Sequence, residues 1–97
     1  MKLQFSRRAD KDLDRLYDFL ITAQSSKNTA ARAMIVIKEG AIHILDNPEI
    51  GTVLDDNTNR RELIIKFGKN NYVLRYIPDY EIKTINILRI YHSREDR

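Results

Sequence analysis

An α+β fold is predicted by three features of the 97-residue sequence: an N-terminal strand and an α-helical hairpin packed on a small antiparallel sheet. Apolar residues recur at helical spacing through two consecutive segments of the first half, a polar stretch at 55–59 divides the chain, and from Arg61 the apolar period changes to two. A chain this short builds one core, so residues 1–97 are expected to form a single domain. With 42% apolar residues that core can be filled without cross-links, and the absence of cysteine removes disulfides, thiolate metal sites and a cysteine nucleophile.

The first element is short. Lys2 to Phe5 alternates polar and apolar, with Leu3 and Phe5 on one side, as a half-buried strand does. Ser6 then occupies an N-cap position, where its hydroxyl can accept from the exposed amides of a first helical turn. Ala9, Leu13, Leu16, Tyr17, Leu20 and Ile21 form the buried stripe of the helix that follows, and charged residues from Arg7 to Asp18 populate its other face.

Gln24 to Asn28 breaks the stripe, and Asn28 or Thr29 is expected to cap a second helix. Its inner stripe is Ala30, Ala33, Met34, Ile37, Ala41, Ile44 and Leu45. Ile35, Val36 and Ile42 widen the apolar surface beyond one face, so the outer side is expected to meet a partner. Gly40 inside this helix is expected to admit another backbone at close range, and Asn47-Pro48 ends it. The segment Asp55-Asp56-Asn57-Thr58-Asn59 is rich in turn formers and predicts an exposed loop.

Three strands follow. Leu63, Ile65 and Phe67 alternate with Glu62, Ile64 and Lys66; Gly68 to Asn71 is a turn; Tyr72 to Ile77 resumes the alternation. Pro78 to Glu81 turns the chain again, and Ile82 to His92 is the longest strand, with Ile85, Ile87, Arg89 and Tyr91 opposite Asn86, Leu88, Ile90 and His92. Short turns make consecutive strands antiparallel neighbours.

The net charge of +3 is too mild to argue for nucleic acid by itself. Its distribution is uneven, with eight basic and three acidic residues between Arg60 and Arg94. The N-terminus lacks the apolar run of a signal peptide, and no stretch approaches the roughly 20 apolar residues that span a bilayer. A cytoplasmic protein without membrane contact is therefore expected. There is no phosphate-binding glycine loop, no His-x-x-x-His and no Gly-x-Ser-x-Gly, and no metal or other cofactor is expected. What remains is a basic, aromatic-bearing sheet: Arg61, Lys66, Arg75 and Arg89 with Tyr72, Tyr76, Tyr91 and His92. Such a surface could hold a phosphate or stack a base, or its arginines could form salt bridges while the tyrosines pack.

Five motifs in order carry a family resemblance: Ala9-x-x-Asp12-Leu13, Asn47-Pro48-x-x-Gly51, Arg61-Glu62-Leu63, Tyr72-Val73-Leu74-Arg75-Tyr76, and the run from Ile85 through Ile87-Leu88-Arg89-Ile90 to His92-Ser93-Arg94-Glu95-Asp96. Together they span nearly the whole chain and resemble the ParE branch of the RelE/ParE toxin superfamily. The resemblance implies the toxin of a type II toxin-antitoxin pair, silenced in a hetero-oligomer by a ParD-like antitoxin whose C-terminal segment wraps it. ParE-like toxins typically poison DNA gyrase, whereas RelE-like toxins cut mRNA on the ribosome.

The ribonuclease alternative would rest on Lys66, Arg75, Arg89 and His92. The sequence departs from that pattern: Ile64 and Val73 stand where two basic residues would, Ser93 falls near the position of the C-terminal arginine, and no tyrosine follows His92. One preorganised donor is commonly worth about 3 kcal/mol to a transition state, so inhibition by binding is favoured over cleavage and over direct nucleic-acid binding. A member that binds its antitoxin without being toxic is the third alternative. The residues expected to contact antitoxin or target are Arg61, Arg75, Arg89, Tyr91, His92, Arg94, Ile35 and Ile42, with acidic antitoxin residues pairing with Arg75 and Arg89.

Overall fold

A computed structural model describes residues 1–24 and 26–95. Ser25 of the inter-helix turn, and Asp96 and Arg97 of the C-terminal run, lie outside the described residues. The elements follow in the order β1 (Lys2–Phe5), α1 (Arg7–Gln24), α2 (Lys27–Asp46), β2 (Thr52–Val53), β3 (Arg61–Phe67), β4 (Asn70–Asp79) and β5 (Thr84–His92). The predicted α+β class stands: two helices cover one face of a five-stranded sheet of order β1-β5-β4-β3-β2.

The meander β3-β4-β5 is antiparallel as its short turns require, but β1 lies parallel to β5, so the sheet is mixed. That pairing joins the two ends of the chain. It carries no local sequence signal, because neither turn length nor alternation records which distant strand will be the neighbour.

Ser6 makes the junction between β1 and α1. Its Oγ accepts from Ala9 N at 3.0 Å, capping the helix, and donates to Leu88 O at 2.9 Å, fastening the helix start to β5. The second cap differs from expectation: Ser26, not Asn28 or Thr29, accepts from Thr29 N at 3.1 Å. Ala30, Ala33 and Ala41 are fully buried along α2, and their small side chains let it lie close to its neighbours. Gly40 also permits a close approach, but of the Ile65 side chain and not of a backbone.

The core is built from Ala9, Leu16, Ile37, Ile44, Ile65, Tyr72, Leu74, Tyr76, Ile85, Ile87 and Ile90. Ile87 and Ile90 are both fully buried although they are three residues apart, which strict alternation forbids. A bulge explains this. Tyr76 pairs with Ile87 and Arg75 with Arg89, leaving Leu88 unopposed and reversing the faces beyond it. Ile90 therefore joins Ile85 and Ile87 inside, while Arg89 and Tyr91 share the outer face with Arg75 and Val73.

Candidate functional site

The outer face of the sheet carries a saturated cluster centred on Glu62. Its Oε2 accepts from Arg75 Nε at 2.9 Å, from Arg75 Nη2 at 2.7 Å and from the Tyr91 hydroxyl at 2.6 Å. The Arg75 guanidinium also lies over the Tyr91 ring, 5.7 Å from its centroid. Burial pushes the Tyr91 phenol up, and the Glu62 carboxylate pushes it further the same way. Burial pulls the Arg75 guanidinium down, but Glu62 and Tyr91 together outweigh it and hold the group above its usual value.

Arg89 stands directly across β4 and β5 from Arg75, an arrangement of like charges that is unfavourable unless each finds a carboxylate. The partner of Arg89 comes from α1. Beyond Ile87, β5 has no pairing with β1, and the Asp12 side chain takes that open edge: Oδ2 accepts from Ile90 N at 2.8 Å and from Arg89 Nε at 2.9 Å. Arg15 joins through Asp12 Oδ1 and Ile90 O, each at 3.3 Å, and hydrogen-bonds Glu95. Burial pushes the Asp12 carboxyl up, but hydrogen bonds from Arg89, Ile90 and Arg15 outweigh it and hold the group below its ordinary value.

His92 lies on the opposite face from this cluster. It meets Tyr72 edge to face at 5.5 Å, beside a cavity of about 510 Å³ walled by Leu16, Phe19 and Tyr72 and rimmed by Arg15, Arg94 and Glu95. Its Nδ1 accepts from Arg94 N at 3.1 Å, so Nε2 carries the proton and donates to Asn70 Oδ1 at 3.0 Å. Both ring nitrogens are thereby occupied and the tautomer is fixed.

The other selected residues are dispersed. Arg61 donates from Nη1 to the carbonyl oxygens of Glu49 and Gly51 at 3.1 and 2.8 Å, holding the chain that follows α2. Lys66 is exposed on the outer face of β3, and Arg94 is exposed at the cavity rim. Ile35 and Ile42 are 56% and 54% exposed on α2. The four residues considered for cleavage thus do not converge: Lys66 and Arg75 lie on one face, Arg89 turns to the sheet edge, and His92 is on the other face.

Of the two carboxylates that organise this surface, Glu62 stands in the sequence as a strand and motif position, and Asp12, expected among the charged residues on the outer face of α1, is instead buried. Asp12 carried a signal nonetheless. It stands three residues after Ala9 and four before Leu16, inside the apolar stripe, where an aspartate needs partners. A third feature is a groove of about 400 Å³ between the helices, floored by Leu13, Tyr17 and Met34 and edged by Asp10 and Asp14 on α1 and Lys38 on α2. Among the described residues no group of three or more His, Asp or Glu side chains is placed to hold a metal ion, and no helix is long and apolar enough to cross a membrane.

The family model described as the ParE toxin of the type II toxin-antitoxin system, parDE, matches residues 3–97. Toxin RelE3 of Caulobacter vibrioides is 33% identical over 97 residues, covering 98% of this chain and 97% of that protein. Among solved structures, a chain of the chromosomal ParDE TA system from P. aeruginosa superposes with a TM-score of 0.76 at 24% identity, covering 95% of both chains. A chain of the intact E. coli RelBE toxin-antitoxin complex does so with a TM-score of 0.64 at 17% identity, covering 96% of both. These two likenesses are likenesses of fold.

Proposed function

The chain belongs to the ParE toxin family of type II toxin-antitoxin systems, and from that membership we propose that it arrests bacterial growth by binding DNA gyrase and is neutralised by a ParD-like antitoxin. The observation that carries inhibition by binding over RNA cleavage is the state of the basic residues. Glu62 and Asp12 neutralise Arg75 and Arg89 within the chain, and His92 faces away from both. A nuclease needs cations preorganised around one scissile phosphate and free to meet it. Here the arginines would first have to give up carboxylates held at 2.7 to 2.9 Å.

The same geometry divides the expected contact residues. Arg61, Arg75, Arg89 and Tyr91 serve the fold through bonds already made, and an acidic antitoxin segment would compete with Glu62 and Asp12 for them. Arg94, the His92 rim, Ile35 and Ile42 remain open to a partner. We place the antitoxin on the helical hairpin, where Ile35 and Ile42 are exposed, and the target contacts around Arg94.

Induction of the chain alone in bacteria is expected to stop growth and to leave chromosomal DNA broken and covalently linked to gyrase, with both effects abolished when the antitoxin is co-induced. Arrest with intact DNA and with mRNA cut at ribosome-bound codons would instead favour a ribonuclease. Unimpeded growth would favour a non-toxic antitoxin binder.

A further inference from the structure

The cavity beside His92 opens where β1 runs out. The last residue of β1, Phe5, pairs with Ile87, so the end of β5 has no strand on that side, and side chains of α1 wall it instead. Tyr72 and His92, partners across β4 and β5, come from the sheet, and Leu16 and Phe19 come from α1. Leu16 is buried, but Phe19, one turn further on, keeps 60% of its surface in solvent. The rest of the cavity is fixed in place. Both ring nitrogens of His92 are bonded, its backbone N donates to Glu95 Oε1 at 2.6 Å, and Glu95 also pairs with Arg15. Of the charged residues at the rim, Arg94 is exposed and enters no ion pair among the described residues.

We propose that this cavity is the anchor point for the target protein: it takes one large apolar side chain of gyrase, lying against Phe19, Leu16 and Tyr72, with an Asp or Glu beside it that pairs with Arg94. The charge follows from the rim, where Glu95 is committed to Arg15 and the His92 amide while Arg94 is not. That the occupant is a protein follows from Phe19. A small ligand would fill the cavity of about 510 Å³ and leave the outer side of that ring wet, whereas a docked surface covers both sides of it. An exposed aromatic and an arginine around a rigid pocket are also the residue types that dominate binding energy at protein interfaces. The site is separate from the helical hairpin groove: Leu13 and Tyr17 line the groove, and Arg15 and Phe19, on the other side of α1, line the cavity. The proposal rests on the gyrase reading and adds which surface of the chain makes the contact.

The test compares the purified, full-length chain with Phe19→Ala and Arg94→Glu in two assays: linear DNA formed by gyrase on supercoiled plasmid, and affinity for the co-encoded antitoxin. Thermal melts confirm that each variant is folded; Arg94 lies in an exposed turn, so its variant keeps the test valid if Phe19→Ala is unstable. Phe19→Ala is expected to raise the concentration needed for half-maximal linear DNA about tenfold or more. Arg94→Glu should raise it about fivefold at low salt, with most of that difference gone at about 0.5 M salt. Antitoxin affinity should stay within about twofold for both. Full potency of both variants against gyrase would overturn the anchor while leaving the gyrase reading intact. A loss of antitoxin affinity as large as the loss against gyrase would overturn it too, by making the cavity part of the antitoxin's surface. An unaltered chain without effect on gyrase would overturn both.

Discussion

Replacing Asp12 by alanine is expected to destabilise the protein by about 3 kcal/mol, near the lower end of the range for removing one partner of a buried ion pair. The carboxylate is almost wholly buried and has no substitute: it is the acceptor for Ile90 N at the open edge of β5, the counter-charge for Arg89, and a partner of Arg15. Its loss leaves a buried amide without a partner and removes the carboxylate paired with Arg89, which stands across from Arg75 and its own partner Glu62. Thermal unfolding should report a fall of roughly 10 to 20 °C for a domain of this size.

The effect has a pH signature. Asp12 titrates below its ordinary value of 3.8 in the folded chain, so the unfolded chain binds the proton first as pH falls. Its contribution is therefore fully present above the ordinary carboxylate range and is lost as pH drops through the lower folded value. Parent and Asp12→Asn should differ in stability at neutral pH and draw together as pH falls below the ordinary carboxylate range and through the lower folded value.

Gly51→Ala is the second large expectation, at about 2 to 3 kcal/mol. A Cβ at Gly51 would fall 2.7 Å from both Cε1 and the hydroxyl of Tyr76 and 3.0 Å from Glu62 O. Neither neighbour can yield cheaply. Tyr76 is fully buried, and its hydroxyl accepts from Gly51 N and donates to Pro48 O, both at 2.8 Å; Glu62 O is backbone of β3. The substitution must therefore push the 48–51 segment off the sheet and disturb the Arg61 bonds to Glu49 O and Gly51 O. Tyr76→Phe, which keeps the ring but removes the hydroxyl, should lower the urea midpoint by a smaller amount, about 1 to 2 kcal/mol in stability.

These two positions show what was legible in the sequence. Periodicity placed both helices and the three-strand meander because each must bury one continuous face, and the stripes from Ala9 to Ile21 and from Ala30 to Leu45 record that requirement locally. Ser6 could be recognised as a cap because capping is decided within four residues. Ser26 has no local advantage over Asn28 and Thr29, which are equally good capping types, and only the actual start of α2 chooses between them. The parallel pairing of β1 with β5 and the bulge at Leu88 depend on contacts more than 80 residues apart or on a local slip in register, and neither leaves a periodic trace.

The site was legible in composition and not in geometry. The row of arginines was evident, but strict alternation placed Arg89 and Tyr91 with Ile85 and Ile87, and the bulge moves them to the opposite face. Their carboxylate partners lie 77 and 29 residues away. The motifs that carried the family resemblance turn out to hold the fold: Asp12 seals the edge of β5, Gly51 admits Tyr76, and Glu62 neutralises Arg75. A resemblance built on such residues speaks for shared architecture more than for a shared target.

The most direct test of inhibition by binding is therefore reconstitution of the purified chain with DNA gyrase, ATP and supercoiled plasmid, scoring protease-released linear DNA. Linear DNA that rises with chain concentration and disappears when the antitoxin is added is the predicted result. Unaltered supercoiling and no linear DNA with the chain in large excess would contradict it.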